Sequence, residues 1–342
     1  MTGLASAVAR HPWWVIAFSI VLLGFGVVVG GSITSNLSDG GFEDPDSEFV
    51  LAEERLQDAN GVNPLPAIIL IVDAEGGDAT SAGAQEQVAS AATTLAEVEG
   101  VTLVQTAFDG GNDTFIAEAG DRALILGSLA PVSDDEASEV AVVVQEEFAE
   151  RDDVLVGGAA VVGDQVSTTI EEDLKRAELL AFPILFVIAL FVFRGVVAAA
   201  LPLIVGGIVI FLGFLGLGIL NEAFEISVFA LNLVIGLSLG LSIDYSLLIV
   251  NRYREELAAR GPGLGAITKT LQTAGRSVLF SAITVAAALA GLMIFPQKFL
   301  FSMGIGGVLV AALAAFASLV VLPAILVVLG RRVNALALPG WK

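Results

Sequence analysis

The chain has 342 residues, of which 56% are apolar and only 15% are charged. Soluble domains carry about 25% charged residues, so this composition, with a mean hydropathy of +0.84, excludes an ordinary soluble globular protein. Cysteine is absent and His11 is the single histidine, which excludes disulfide frameworks, thiolate or histidine metal centres and histidine-dependent catalytic triads. We therefore expect no enzymatic activity, no metal and no cofactor. The net charge of -21 also argues against nucleic acid as a partner.

The charge divides the chain into an acidic, polar block and an apolar frame. Residues 32–178 hold 32 of the 37 acidic residues and 5 of the 16 basic ones, so they carry a net charge of -27, while the rest of the chain carries +6. We expect a first transmembrane helix in residues 1–31, a water-exposed domain in residues 32–178, a helical membrane bundle in residues 179–330 and a tail in residues 331–342.

Six apolar segments are candidates for transmembrane helices, since about 20 apolar residues cross the hydrocarbon core of a bilayer. They are Trp13–Gly31, Leu179–Phe193, Gly195–Leu220, Ile226–Val250, Val278–Phe295 and Phe299–Leu329. The second segment is short, so we expect its helix to extend outward through the preceding polar stretch. The first segment has a cleaved signal peptide as its alternative, but its length and the lack of a cleavage site favour an uncleaved anchor.

Lysine and arginine near the span ends predict the orientation, because cytoplasmic loops carry an excess of both. One side collects ten of them, among them Arg10, Arg194, Arg252 and Arg331. That side is predicted to be cytoplasmic and to hold both termini. Residues 32–178 are then extracytoplasmic, and the protein lies in the cytoplasmic membrane.

The acidic block alternates between strand and helix patterns. Strands are predicted at Ala67–Ala74, Val101–Phe108, Arg122–Leu129 and Val154–Gly157, with helices at Ser81–Val98 and Ser133–Ala149. The order β-α-β-β-α-β is the split βαβ pattern, and right-handed crossovers place both helices on one face of the sheet. The predicted fold is thus an α-helical membrane protein of six transmembrane helices, with an α+β ferredoxin-like domain between helices 1 and 2.

Asp244 is the residue most informative about function. Arg252, the first charge that follows it, is eight residues away, which is about 12 Å along a helix. A carboxylate inside hydrocarbon is costly and marks functional sites such as proton relays. Asp244 is therefore the candidate proton carrier, with the Tyr245 hydroxyl beside it as donor or acceptor. The alternative is a structural acid held by a neighbouring polar group.

Small residues surround this acid. Gly236 and Gly240 have the G-x-x-x-G spacing that lets a neighbouring helix approach closely. Ser281 and Thr284 in the next apolar segment are candidates for supporting the relay with their hydroxyls, and hydrogen bonding to their own helix is the alternative. The segment 252–276 contains Leu264, Ile267 and Leu271 at helical spacing, which predicts a cytoplasmic amphipathic helix.

Four strings make the chain resemble the MMPL (mycobacterial membrane protein large) family of the resistance-nodulation-division superfamily. They are Gly41–Ser47, Ile170–Leu180 with Phe193 and Arg194, Gly240–Leu257 and Ala274–Val285. The resemblance implies export of lipids or other hydrophobic compounds, driven by the proton-motive force. In that family an Asp-Tyr pair carries the proton, which corresponds here to Asp244 and Tyr245.

One departure from the family pattern matters for the expected partner. The family holds two such repeats in a chain, each with its own Asp-Tyr pair, whereas Asp-Tyr occurs here once. We expect a fragment, a remnant or a half-size protein that pairs with a second copy or a homologous chain. The rival interpretation is a membrane sensor, scaffold or protein-export accessory that does not transport.

Overall fold

The computed structural model describes residues 1–30, 37, 41, 44–61, 65–109 and 115–336. Two compact units make up the chain, one of residues 1–41 and 174–342 and the other of residues 42–173. Each unit has its own hydrophobic core. The predicted division lies at residues 32 and 178.

The smaller unit contains a four-stranded sheet and helices. Its elements in chain order are α3 (Glu48–Asn60), β1 (Ile68–Asp73), α4 (Ala82–Glu97), β2 (Val101–Thr106), β3 (Arg122–Leu129), α5 (Asp134–Glu147), β4 (Val154–Gly157) and the start of α6 (Ala159–Phe193). From β1 onward the elements follow the order β-α-β-β-α-β that the periodicity predicts.

The sheet has the strand order β2-β3-β1-β4, and all three pairs are antiparallel. Alternate residues of β1, namely Ile68, Leu70 and Val72, are buried in one core with residues of both α4 and α5. Both helices thus contribute to the core on that face of the sheet. At the start of α5 the Ser133 and Glu136 side chains form a capping box.

The larger unit is a bundle of apolar helices. Its elements are α1 (Thr2–Arg10), α2 (Pro12–Gly30), the end of α6, α7 (Val196–Phe224), α8 (Phe229–Arg260), α9 (Leu264–Ala290), α10 (Lys298–Phe316) and α11 (Leu322–Leu329). A π-helical turn, Ala317–Val321, joins α10 to α11. Short 3₁₀ helices follow α9 and α11.

Four helical segments of the described residues are long and apolar enough to cross a membrane: Val196–Phe224, Phe229–Arg260, Leu264–Ile294 and Lys298–Asn334. Together α1 and α2 form a fifth candidate, bent by 85°. The break falls just before Pro12, which has no backbone N–H to continue α1 and is well placed to open a new helix. Leu179–Phe193 is a shorter apolar stretch at the end of the 35-residue α6. The count of six spans stays a prediction.

The segment 252–276 differs from the predicted surface helix. Its first part is the end of α8 and its second part is the start of α9, with a turn at Gly261–Gly263 between them. Ile267 and Leu271 are fully buried in the core of the bundle. Two of the three residues of the apolar stripe thus pack inside the bundle, whereas Leu264 is 49% exposed. The position of this segment at the membrane surface stays a prediction.

Glycines set the closest helix contacts in the bundle. A Cβ atom at Gly213 of α7 would lie 2.6 Å from Cγ1 of Val234 on α8, and one at Gly307 of α10 would lie 2.6 Å from Cδ1 of Leu289 on α9. These distances are shorter than atoms tolerate, so a larger residue at either position would force the neighbouring side chain to shift. Gly41, the first residue of the string Gly41–Ser47, has φ of +94° and accepts a hydrogen bond from the Phe299 amide.

Candidate functional site

The candidate site lies on α8, a 32-residue helix with Asp244 at its midpoint. Gly236, Gly240, Asp244 and Leu248 repeat every four residues and are all exposed in the single chain. Residues four apart lie on one face of a helix. We call this face the Gly-Asp stripe. It places the predicted proton carrier on the outside of the bundle.

No other part of the described chain covers the Gly-Asp stripe. A Cβ atom at Gly236 or at Gly240 would meet no heavy atom of a neighbouring element within 4 Å. Asp244 has no hydrogen-bond or ion-pair partner among the described residues. The close approach that these glycines permit is therefore not used within this chain, and the stripe is free to meet something else.

Tyr245 faces the interior and is only 2% exposed. It lies near Asp244 and near the Ser281 side chain of α9, but no hydrogen bond of good geometry satisfies its hydroxyl within the described chain. The structure thus brings Asp244, Tyr245 and Ser281 into one neighbourhood. A buried hydroxyl next to an acid is suited to passing a proton or to holding a water molecule.

Thr284 hydrogen-bonds to its own helix, which is the alternative to supporting the relay. Its hydroxyl donates to the Ser281 carbonyl oxygen of the same helix, at 2.8 Å, and its side chain is exposed. Ser281 is half-buried. Of the two predicted supporting residues, Ser281 is the one placed beside Tyr245.

The inner face of α8 carries a second polar row that the sequence analysis did not single out. Ser238, Ser242 and Ser246 are 0% exposed, and none of their hydroxyls has a hydrogen-bond partner in the described structure. Their four-residue spacing was visible in the sequence, but serine also serves simply as a small residue at helix contacts. Only the lack of partners sets these serines apart.

The charged end of α8 holds the helix in place at its C-terminus. Arg254 donates to the Phe193 carbonyl oxygen at 2.8 Å and to Asn334 at 2.7 Å. The Tyr253 hydroxyl donates to the Leu326 carbonyl oxygen at 3.0 Å. These bonds attach α8 to the last turn of α6 and to the C-terminal helices, so this part of the string Gly240–Leu257 positions the helix that carries Asp244.

A compact ion-pair network completes this end. Glu256 is 6% exposed and accepts hydrogen bonds from Arg252 and Arg260, each one helical turn away. Arg252 also reaches Thr273 of α9. A buried carboxylate needs such partners, and the network fixes α8 against α9.

Two contacts lie just before the N-terminal end of α8. The Ser227 amide donates to the Ser302 hydroxyl of α10 at 3.0 Å. Lys298 pairs with Glu225 at 2.6 Å, and this ammonium group holds the pKa of the Glu225 carboxyl below its ordinary value. The described residues contain no group of three or more His, Cys, Asp or Glu side chains able to hold a metal ion.

Comparison with known proteins agrees with this architecture. The chain is 35% identical to a membrane protein of Streptomyces coelicolor over 97% of its length, which is 47% of that protein. It is 42% identical to the trehalose monomycolate exporter MmpL3 of Mycolicibacterium smegmatis over 54% of its length, or 18% of the exporter. It is 29% identical to the mycolic acid-containing lipids exporter MmpL11 of the same organism over 97% of its length, or 35% of that protein.

The aligned regions are therefore less than half of each of these relatives. The family model matches nearly the whole chain, from residue 42 to residue 340, and its description is the MMPL family. This match includes α8 with Asp244 and both of its anchored ends. The chain belongs to the MMPL family.

Proposed function

We propose that this chain is one half of a proton-driven lipid exporter of the cytoplasmic membrane. The observation that carries the proposal is the position of Asp244, at the midpoint of an apolar helix and on its exposed face. A carboxylate facing hydrocarbon costs at least about 2.5–3.5 kcal/mol. A helix without a use for such a group would be more stable with an apolar residue there.

Coupling to the proton-motive force provides a function for the Asp244 carboxylate. Each elementary charge that crosses the membrane potential releases about 2.3 kcal/mol per 100 mV. Asp244 collects this energy by taking up a proton from one side and releasing it to the other, with Tyr245 as the adjacent hydroxyl. The names of the relatives MmpL3 and MmpL11 support a lipid as the cargo.

The second half is the proposed cover for the Gly-Asp stripe. Gly236 and Gly240 leave the α8 backbone accessible, and small residues in this spacing favour close helix association in membranes. A homologous helix from a second copy or a related chain would place its own polar residue against Asp244. This pairing removes the carboxylate from lipid and supplies a second Asp-Tyr pair.

The remaining parts follow from the same proposal. The bent pair α1 and α2 and the apolar end of α6 are the first and second of six transmembrane helices. Both termini are cytoplasmic, and the sheet-containing unit is extracytoplasmic. The strand order β2-β3-β1-β4 and the sequence of elements support a ferredoxin-like fold for that unit.

The test is transport by the chain in proteoliposomes, either alone or together with a homologous second half. A fluorescent long-chain lipid probe is loaded, and its appearance on the far side is followed under an imposed pH gradient. We expect movement that depends on the gradient and stops when a protonophore collapses it. Movement of the probe that is indifferent to the gradient in every preparation would contradict the proposal and favour a sensor or scaffold.

A further inference from the structure

Four hydroxyl groups lie buried near the middle of the bundle without hydrogen-bond partners in the described structure. Ser242, Tyr245 and Ser246 belong to α8, and Ser318 belongs to the π-helical turn that joins α10 to α11. All are at least 98% buried. A buried hydroxyl that makes no hydrogen bond lowers the stability of the folded protein. A cluster of four such hydroxyls therefore requires an explanation.

Two hydrogen bonds show that Ser318 lies at the depth of the α8 hydroxyls. Ser227 is bonded to Ser302, and Tyr253 to Leu326. Ser318 lies 16 residues after Ser302, and Ile243 lies 16 residues after Ser227, so the first bond places Ser318 level with Ile243. Ser318 also lies 8 residues before Leu326, and Tyr245 lies 8 residues before Tyr253, so the second bond places Ser318 level with Tyr245. Since α8 also contacts the π-helical turn, these four hydroxyls form one layer.

Three other helical hydroxyls of the bundle bond to their own helix, whereas Ser238 on α8 is a further one without a partner in the described structure. Ser19, Thr270 and Ser302 each donate to the carbonyl oxygen four residues earlier, at 2.6–2.9 Å. Ser242 and Ser246 do not make this bond, although they also lie in regular helix. They are therefore free to bond to something between the helices.

Ser318 lies in the π-helical turn Ala317–Val321. A π-helical turn shifts the hydrogen-bond pattern from i+4 to i+5 and recurs at functional sites. The fourth hydroxyl of the layer therefore lies where the regular backbone pattern changes.

We propose that this hydroxyl layer is a binding site for ordered water molecules inside the half-bundle. Buried waters make about three hydrogen bonds each, to polar groups that are otherwise unsatisfied. Water is the ligand that matches four hydroxyls with no charged group among them. Ser242 and Ser246 lie on the side of α8 opposite the Gly-Asp stripe, and the water site would exist whether or not the chain moves protons.

The two tyrosines of the chain provide the test. Tyr245 and Tyr253 lie on the same helix and are 2% and 1% exposed. Within the described chain the Tyr253 hydroxyl makes a hydrogen bond of good geometry, whereas the Tyr245 hydroxyl lies near Ser281 without making one. Radiolysis of water by X-rays produces hydroxyl radicals, which modify side chains next to bound water even where bulk solvent is excluded. We expect Tyr245 to be modified several-fold faster than Tyr253 in the purified chain in lipid nanodiscs.

Two serine variants distinguish modification of Tyr245 by bound water from modification by bulk solvent that enters the bundle. Ser318→Ala removes one hydroxyl from the layer and is expected to slow modification of Tyr245 several-fold. Ser302→Ala removes a buried hydroxyl that is satisfied by the protein, and is expected to leave the rate unchanged. Equal rates for the two tyrosines, or a Tyr245 rate unaffected by Ser318→Ala, would overturn the proposal.

The melting temperature of Ser318→Ala is a second test of whether the layer holds water. If the layer is dry, Ser318→Ala removes an unsatisfied hydroxyl and raises the melting temperature. If the layer holds water, the variant loses hydrogen bonds to that water and the melting temperature falls or stays the same. A rise would overturn the proposal even where radical labelling could not be interpreted.

Discussion

At the scale of single residues, the two tyrosines of α8 have different roles despite similar burial. The sequence points to Tyr245 because it follows the membrane aspartate. Tyr253 lies two turns further on, and its hydroxyl bonds to the Leu326 carbonyl oxygen. That bond connects helices distant in the chain, so no local pattern could predict it. Tyr253 is thus an anchoring residue, and Tyr245 belongs to the candidate relay.

Tyr253→Phe tests this anchoring role. The change keeps the ring and removes one buried hydrogen bond, which typically contributes about 0.5–1.5 kcal/mol. We expect the free energy of unfolding in detergent to fall by about 1 kcal/mol, measured by denaturant titration followed by circular dichroism. An unchanged unfolding curve would show that the contact with Leu326 contributes nothing to stability.

Among the elements, the strands and helices of the smaller unit are the part best predicted from sequence. β1 to β4 form where alternating or continuous apolar runs lie between turn residues, and Ser133 with Glu136 marks the start of α5. Such signals are local, so they survive in a single sequence. The strand order is also accessible, because crossover handedness restricts the arrangements.

The helices of the larger unit are less predictable, for a physical reason. Leu264, Ile267 and Leu271 give the periodicity of an amphipathic surface helix, yet they begin the long helix α9. An apolar stripe on a helix packs equally well against a protein core and against a membrane surface. The bend of 85° between α1 and α2 also escaped prediction, although Pro12 marks its position.

Asp153, just before β4, makes a testable link between pH and the stability of the smaller unit. Arg151 donates hydrogen bonds to its carboxylate at 2.6 and 3.1 Å, and these bonds hold the pKa of Asp153 below its ordinary value. The unfolded chain then binds the proton more tightly than the folded one. The stabilisation is complete above the ordinary pKa of about 3.9 and is lost as pH falls from there through the lowered pKa.

We therefore expect Asp153→Asn to weaken protection of β1 and β4 amides against hydrogen exchange at pH 6. The difference from the unmodified chain should shrink as pH falls below about 4, after correction for the intrinsic pH dependence of exchange. Asp152→Asn, at the exposed neighbouring residue, gives a matched control. A difference for Asp153→Asn that is the same at both pH values would rule out this link.

At the scale of the whole molecule, the sequence predicts the acid of the candidate site but not the helix face on which it lies. Sequence alone selects Asp244 and Tyr245, because an acid within an apolar helix is rare. It does not reveal which faces of α8 are exposed, since apolar residues lie on every side of the helix around Asp244. The structure supplies that answer: the Gly-Asp stripe is on the surface, and the serine row is inside.

Pairing through the Gly-Asp stripe predicts different effects for two glycines. Gly240→Leu adds a side chain where no neighbour lies within 4 Å in the single chain, so it should preserve the fold and reduce association with a second half. Gly213→Leu would collide with Val234 inside the bundle and should lower the stability of the chain itself. Association is measured by energy transfer between labelled chains in nanodiscs, and undiminished transfer for Gly240→Leu would contradict the pairing.

The proposed orientation is testable because the chain has no cysteine of its own. We expect a cysteine at exposed Glu118, in the sheet-containing unit, to react with an impermeant thiol reagent added outside intact cells. A cysteine at exposed Ala258, at the end of α8, should react only after the membrane is opened. Labelling of both positions from the same side would refute this topology.

The central claim is that Asp244 carries the transported proton, and Asp244→Asn tests it most directly. Asparagine keeps the shape of the side chain but cannot titrate, so the energy of the pH gradient cannot reach the lipid. We expect gradient-driven movement of the fluorescent lipid probe in proteoliposomes to be abolished in this variant, with the melting temperature preserved. Asp244→Glu should keep part of the activity, and undiminished transport by Asp244→Asn would show that the proton travels elsewhere.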